Sequence, residues 1–106
     1  MERGLNTLEE RELVLEGPIT SETAAQTREC MLALLTTGAG CVIHAHEVTQ
    51  LDAAGAQLLY AFRTEAMRRG AEVRWASTSV FLVEAARILG MARCLGLTEL
   101  PAEATP

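Results

Sequence analysis

Hydrophobic residues change period along this chain several times, and each change marks an element. Residues 12–16 (ELVLE) alternate, with Leu13 and Leu15 on one face and Val14 on the other, the period of a strand. A weaker strand pattern over 5–9 precedes it, with Glu10 and Arg11 as the turn of a hairpin between the two. Gly17 and Pro18 end the second strand, because proline has no N–H to give a central ladder. From 20 to 37 the period lengthens, and Ala24, Thr27, Met31, Leu34 and Leu35 form a stripe at helical spacing. Thr20, Ser21 and Thr23 are candidate N-caps, Thr23 and Gln26 have capping-box spacing, and Gly38 and Gly40 stop the helix. Residues 41–45 (CVIHA) are short, mostly apolar and flanked by helices, which predicts a central strand buried on both faces.

A second helix is predicted over 53–69, burying Leu58, Leu59, Phe62 and Ala66 and turning Gln57, Arg63, Thr64 and Arg68 outward, with Gly70 just past its end. Residues 72–76 (EVRWA) alternate and suit an outer strand. Ser77, Thr78 and Ser79 offer caps to a third helix over 80–89, with Phe81, Ala85, Ile88 and Leu89 inward and Gly90 as its stop. MARCLGL adds one more helical turn, and 98–106 reads as a frayed tail. The order is β-β-α-β-α-β-α, an α/β fold. It implies a four-stranded, mostly parallel sheet with an N-terminal antiparallel strand, packed by three to four helices.

Composition narrows the function classes. The 106 residues are 49% apolar and 22% charged, which fits one globular domain spanning 1–106, with its core in about 5–97. The charged start (MERGLNTLEERE) lacks a signal peptide's apolar stretch, and no apolar run spans a bilayer, so a cytoplasmic protein without membrane insertion is expected. The net charge of −5, with every basic residue an Arg, argues against a nucleic-acid binder. Arg68 and Arg69 suit the negative end of a helix. Cys30, Cys41 and Cys94 show no CxxC spacing and read as reduced thiols, with Cys30 and Cys41 in the core.

LDAAG, residues 51–55, opens the second helix. Asp52 is a natural N-cap, Ala53 and Ala54 start the helix, and Gly55 admits a close neighbour, either within the domain or from a partner. His44 and His46 share one side of a strand that ends near this place. With Glu47 or Asp52 they form a weak ligand-binding or pH-sensing pattern without a third metal ligand. The plainer reading puts them half exposed in the loop above the sheet. No Gly-rich phosphate loop or nucleophile elbow is present in the sequence, so no catalytic residue, metal or cofactor is assigned. Tyr60 can face solvent as an interface anchor, and Trp75 reads as packing.

The element order together with VIHAHEVTQLDAAGAQLL and MRRGAEVRWASTS resembles the STAS (SpoIIaa-like) domains of bacterial anti-anti-sigma factors and sulfate-transporter tails. The match rests on Leu51, Asp52, Gly55, Leu58 and Leu59. The resemblance implies that Ala53 stands where relatives carry a phosphorylatable Ser or Thr, so the covalent switch is missing here. A second departure is the run His44, Ala45, His46, Glu47 just upstream. The resemblance further implies a non-catalytic docking module, an anti-sigma-factor antagonist in type. Its surface would be Thr49, Asp52, Ala53, Ala54, Gly55, Gln57 and Tyr60. Its partner would be an anti-sigma factor with a kinase-type ATPase fold, a chemotaxis or two-component regulator, or the ATPase of a lipid-transport ABC complex. A homodimer is compatible with it. The alternatives are the STAS subunit of such a transporter, a nucleotide or small-anion sensor at the helix start near His44 and His46, and modification rerouted to Thr49, Ser77, Thr78 or Ser79.

Overall fold

A computed structural model of the chain describes residues 11–38 and 40–97. Within it the elements run β1 (Arg11–Ile19), α1 (Ala24–Leu35), β2 (Cys41–Leu51), α2 (Ala53–Arg68), β3 (Val73–Ser77) and α3 (Val80–Ile88). The three strands form one parallel sheet in the order β1-β2-β3. Each strand is followed by a helix, and right-handed crossovers stepping one way stack helices on one face. The predicted strand over 5–9, and with it the antiparallel pairing and most of the hairpin, lies outside the described residues. Arg11 is no turn residue: it opens β1 opposite Cys41.

Register explains the two faces. Leu13, Ile43 and Trp75 are aligned across the sheet, and so are Glu12, Val42 and Arg74 on the other side. The first row joins the core with Met31 of α1, Leu59 and Phe62 of α2, Leu82 of α3, and Leu95 and Leu97 beyond it. The second row is rimmed by the exposed Glu12, Val14 and Glu16 of β1. Trp75 packs, as expected, and its indole N–H donates to the Leu95 carbonyl at 2.8 Å.

Three boundaries differ from the sequence pattern, each for a local reason. β1 does not stop at Gly17 and Pro18 but continues to Ile19, where it pairs with Leu51. It is an edge strand of the described sheet, so proline's missing N–H need not face the ladder. Gly17, at φ +68, takes up one register shift in the left-handed region that glycine enters freely. α1 starts at Ala24 rather than at 20, and Thr23 builds no capping box. Its hydroxyl donates to the Pro18 carbonyl at 2.9 Å and accepts from the Thr20 N–H at 3.0 Å, tying the β1–α1 turn to the strand end. β2 runs on to Leu51, twice the length of CVIHA, with Val48 and Leu51 buried among exposed Glu47, Thr49 and Gln50. His44, His46 and Thr49 therefore lie on a strand, not in a loop.

β3 stops pairing at Ser77, opposite His44, and hydroxyls carry the contact on. Ser77 Oγ accepts from the Ala45 N–H at 3.2 Å. Ser79 Oγ donates to the Val48 carbonyl at 2.7 Å and accepts from the Leu82 N–H at 3.1 Å, capping α3 while anchoring it to β2. So anchored, α3 turns Leu82 and Ala86 inward; of the residues expected inward, Ala85 packs against the core, whereas Phe81, Ile88 and Leu89 are exposed. The only charges of the helix, Glu84 and Arg87, stand on the solvent side, opposite the buried Leu82 and Ala86. The MARCLGL segment is a series of turns rather than a helix, though it buries Ala92, Leu95 and Leu97. Cys41 is in the core, but Cys30 is exposed on the outer side of α1.

This assignment of faces predicts that Leu82→Ala, emptying a fully buried site, costs about 2–5 kcal/mol. Phe81→Ala stays within about 1 kcal/mol because its ring lies outside the core. Urea denaturation of both variants checks the pair, and a reversed ranking would put the other face inward.

Candidate functional site

The start of α2 is built by three backbone-level contacts. Asp52 is in extended geometry (φ −107, ψ −177), and its Oδ1 accepts from the Gly55 N–H at 2.8 Å. Its Oδ2 accepts from the Ser21 N–H at 3.0 Å, from the turn between β1 and α1. Its own N–H donates to the Ile19 carbonyl at 3.3 Å. One carboxylate thus caps its own helix and clamps the turn entering the preceding one. The Gly55 and Ser21 N–H donors favour the ionised form and hold the Asp52 carboxyl below its usual range.

Gly55 completes the clamp. A Cβ at this position would stand 2.0 Å from the Ile19 carbonyl oxygen and 2.8 Å from its carbon. The glycine is buried, so its missing side chain serves the approach of α2 to β1 inside the domain. Gly55 therefore drops out of the expected contact surface. Sequence alone left internal packing and partner contact equally open, since the neighbour lies 36 residues away. Ser21 was foreseen only as a cap, and its link to Asp52 has no local signal for the same reason.

The remaining expected residues are exposed. Ala53 and Ala54 present exposed methyls on the first turn of α2, with Gln57 and Tyr60 exposed further along the helix and Thr49 exposed on the last part of β2. Beside Gln57 and Tyr60 lies a shallow groove of about 530 Å³, lined also by Ala61, Met91 and Cys94. Gln50, which the sequence pattern passed over, is exposed next to Thr49.

His44 and His46 belong elsewhere. Asp52 lies six positions along the chain from His46, roughly 20 Å at the usual rise, so neither imidazole reaches the helix start. The two rings do not share a partner. His44 Nε2, shielded from solvent, lies 3.3 Å from Glu12 Oε1 without hydrogen-bond geometry. His46 Nδ1 is 3.0 Å from Ser77 Oγ, with Glu47 at 3.7 Å from its other nitrogen. Among the described residues no group of three or more His, Cys, Asp or Glu is placed to hold a metal ion. Of the alternative hydroxyls, Ser77 and Ser79 are engaged by backbone groups, Thr78 is half-buried and Thr49 is exposed.

Arg68 and Arg69 pair with Glu65, and together they hold its carboxyl below the usual range. Arg69 also donates to the Leu35 carbonyl at 3.1 Å, joining the ends of α1 and α2. No helix among the described residues is long and apolar enough to cross a membrane.

A family model described as Mlab, STAS domain, matches residues 6–100, nearly the whole chain. The chain belongs to the STAS domain family, whose members are generally non-catalytic and commonly regulatory or protein-interacting. No curated protein matches it.

The clamp predicts the effect of Gly55→Ala. Alanine's better helix propensity is worth roughly 1 kcal/mol. A methyl forced onto a backbone carbonyl outweighs it, since even ordinary overpacking costs about 1–3 kcal/mol. A net loss of about 1–2 kcal/mol is expected in chemical denaturation; a stabilised variant would contradict the close approach.

Proposed function

We propose that this chain is a non-catalytic docking module whose contact surface is the start of α2. That surface comprises Ala53 and Ala54, flanked by Thr49, Gln57 and Tyr60 and positioned by Asp52. The observation that carries this reading is the pairing of a fixed backbone with unreactive side chains. Asp52 spends both oxygens on internal N–H groups, and the exposed positions after it are methyls. Nothing there supplies a nucleophile or a general base.

Ala53 is taken as the counterpart of the phosphorylated hydroxyl of STAS relatives. A chain with alanine there presents the unmodified surface permanently, so binding is constitutive and regulation falls to the partner. In this reading the partner is an anti-sigma factor of the kinase-ATPase class, a chemotaxis or two-component regulator, or the ATPase of a lipid-transport ABC complex. A nucleotide or anion sensor at the same place is disfavoured, because an incoming phosphate would meet the ionised Asp52 and would find neither histidine near it.

The test is titration calorimetry of the chain against purified ATPases of these classes from its own gene neighbourhood. Ala53→Glu is expected to weaken binding by tenfold or more, about 1.4 kcal/mol. It should leave thermal stability intact, since a carboxylate suits a helix N-terminus. Ala53→Ser retains affinity, and with ATP it gains phosphate mass only beside a kinase-type partner, which separates the partner classes. Unchanged affinity in Ala53→Glu for every complex found would place the contact surface elsewhere.

A further inference from the structure

α1 leaves its seam with α2 partly unfilled. Of its twelve residues only Met31 is buried, whereas α2 buries five, and a groove of about 220 Å³ stays open between the two helices. Met31 and Phe62 form its floor, and Leu32, Leu35 and Leu58 its walls. Charge enters the lining only at Arg28 and Glu65. The two stand toward opposite ends. Arg69, one turn beyond Glu65, donates to the Leu35 carbonyl, and Arg28 lies seven positions before Leu35 on α1. Glu65 is satisfied, with Arg68 and Arg69 on its two oxygens. The Arg28 guanidinium makes no ion pair or hydrogen bond among the described residues, and its neighbour Glu29 does not line the groove.

We infer that this groove binds a free aliphatic carboxylate of medium chain length, its head on Arg28 and its tail along the seam. Charge selects the head. An unpartnered guanidinium offers parallel N–H donors that match a planar carboxylate. Glu65 with its two arginines adds a net positive charge at the far end, so both ends are cationic in a chain whose net charge is −5. Concavity and length select the tail. An apolar floor with walls from both helices shields a chain laid between them from water, and each methylene so shielded adds affinity. From Arg28 to Leu35 the helix rises about 10 Å. At roughly 1.2 Å per bond of an extended chain, that length holds about eight carbons. The inference does not rest on the docking surface at the start of α2.

An NMR chemical-shift titration of the full chain with butanoate, hexanoate, octanoate and dodecanoate tests it, with 1-octanol as the uncharged control. Octanoate is expected to bind saturably, with a dissociation constant of about a millimolar or tighter and shifts centred on Met31, Leu35, Leu58 and Phe62. Affinity rises about two- to fourfold per methylene up to about eight carbons and then levels off. 1-Octanol binds several-fold more weakly. Arg28→Glu weakens octanoate about fivefold or more, Arg28→Lys keeps most of the affinity, and Leu32→Glu, which puts a carboxylate on the wall, abolishes binding. The Arg28 and Leu32 variants melt as the wild type does, because both side chains are exposed. No saturable binding of octanoate at millimolar concentration, shifts centred away from the groove, or equal affinity for 1-octanol would each overturn the inference. So would wild-type affinity in Arg28→Glu or Leu32→Glu, affinity still climbing to dodecanoate, or binding to phosphatidylglycerol vesicles in preference to the free acid.

Discussion

The Ile19 carbonyl is the point on which the arrangement of the first two helices turns. It ends β1, accepts the N–H of Asp52, and lies so close beneath Gly55 that no side chain fits between them. For the carbonyl to be there, β1 must pass through Gly17 and Pro18 and keep step with β2 as far as Leu51. For Gly55 to be there, α2 must start immediately after β2, with Asp52 as its only connecting residue. Asp52 then holds Ser21, so the β1–α1 turn and the α2 start become one rigid corner. Loss of the close approach would loosen α2 from β1 and Ser21 from Asp52 together.

That corner bears on function because it leaves the first turn of α2 with its backbone committed and its outer side chains small. Protein recognition gains affinity when the surface is ordered before the partner arrives, since less freedom is lost on binding. The ionised Asp52 gives the same place a standing negative charge, which favours an uncharged or cationic contact over a phosphate. The helix carboxylates and arginines elsewhere, Glu65 with Arg68 and Arg69 and Glu84 with Arg87, are paired within their own helices. Exposed pairs of this kind contribute little to stability.

Much of this was legible from residues close in sequence. The period of Leu59, Phe62 and Ala66, the cap at Asp52 and the stop at Gly70 define α2 almost to the residue, and the structure agrees. The alternation of ELVLE gives the inner face of β1 correctly. What failed depended on distant partners. β2 looked finished at Ala45 because HEVTQ is polar, yet Ser79 reaches across to the Val48 carbonyl and β1 pairs up to Leu51. In α3 seven of nine residues are apolar, yet Glu84 and Arg87 mark the solvent side, and Phe81 and Ile88 stand out beside them while Leu82 turns in. Gly55 and Ser21 could not be connected to Ile19 and Asp52 without the fold.

The claim that Asp52 locks two segments at once is most directly tested by following the amide proton shifts of Ser21 and Gly55 in a pH titration by NMR. Both amides donate to the same carboxylate, so both should move with a single shared midpoint, and that midpoint should lie below the ordinary aspartate value of 3.8. Separate midpoints, a Ser21 amide that does not respond, or a shared midpoint at or above that value would contradict the account.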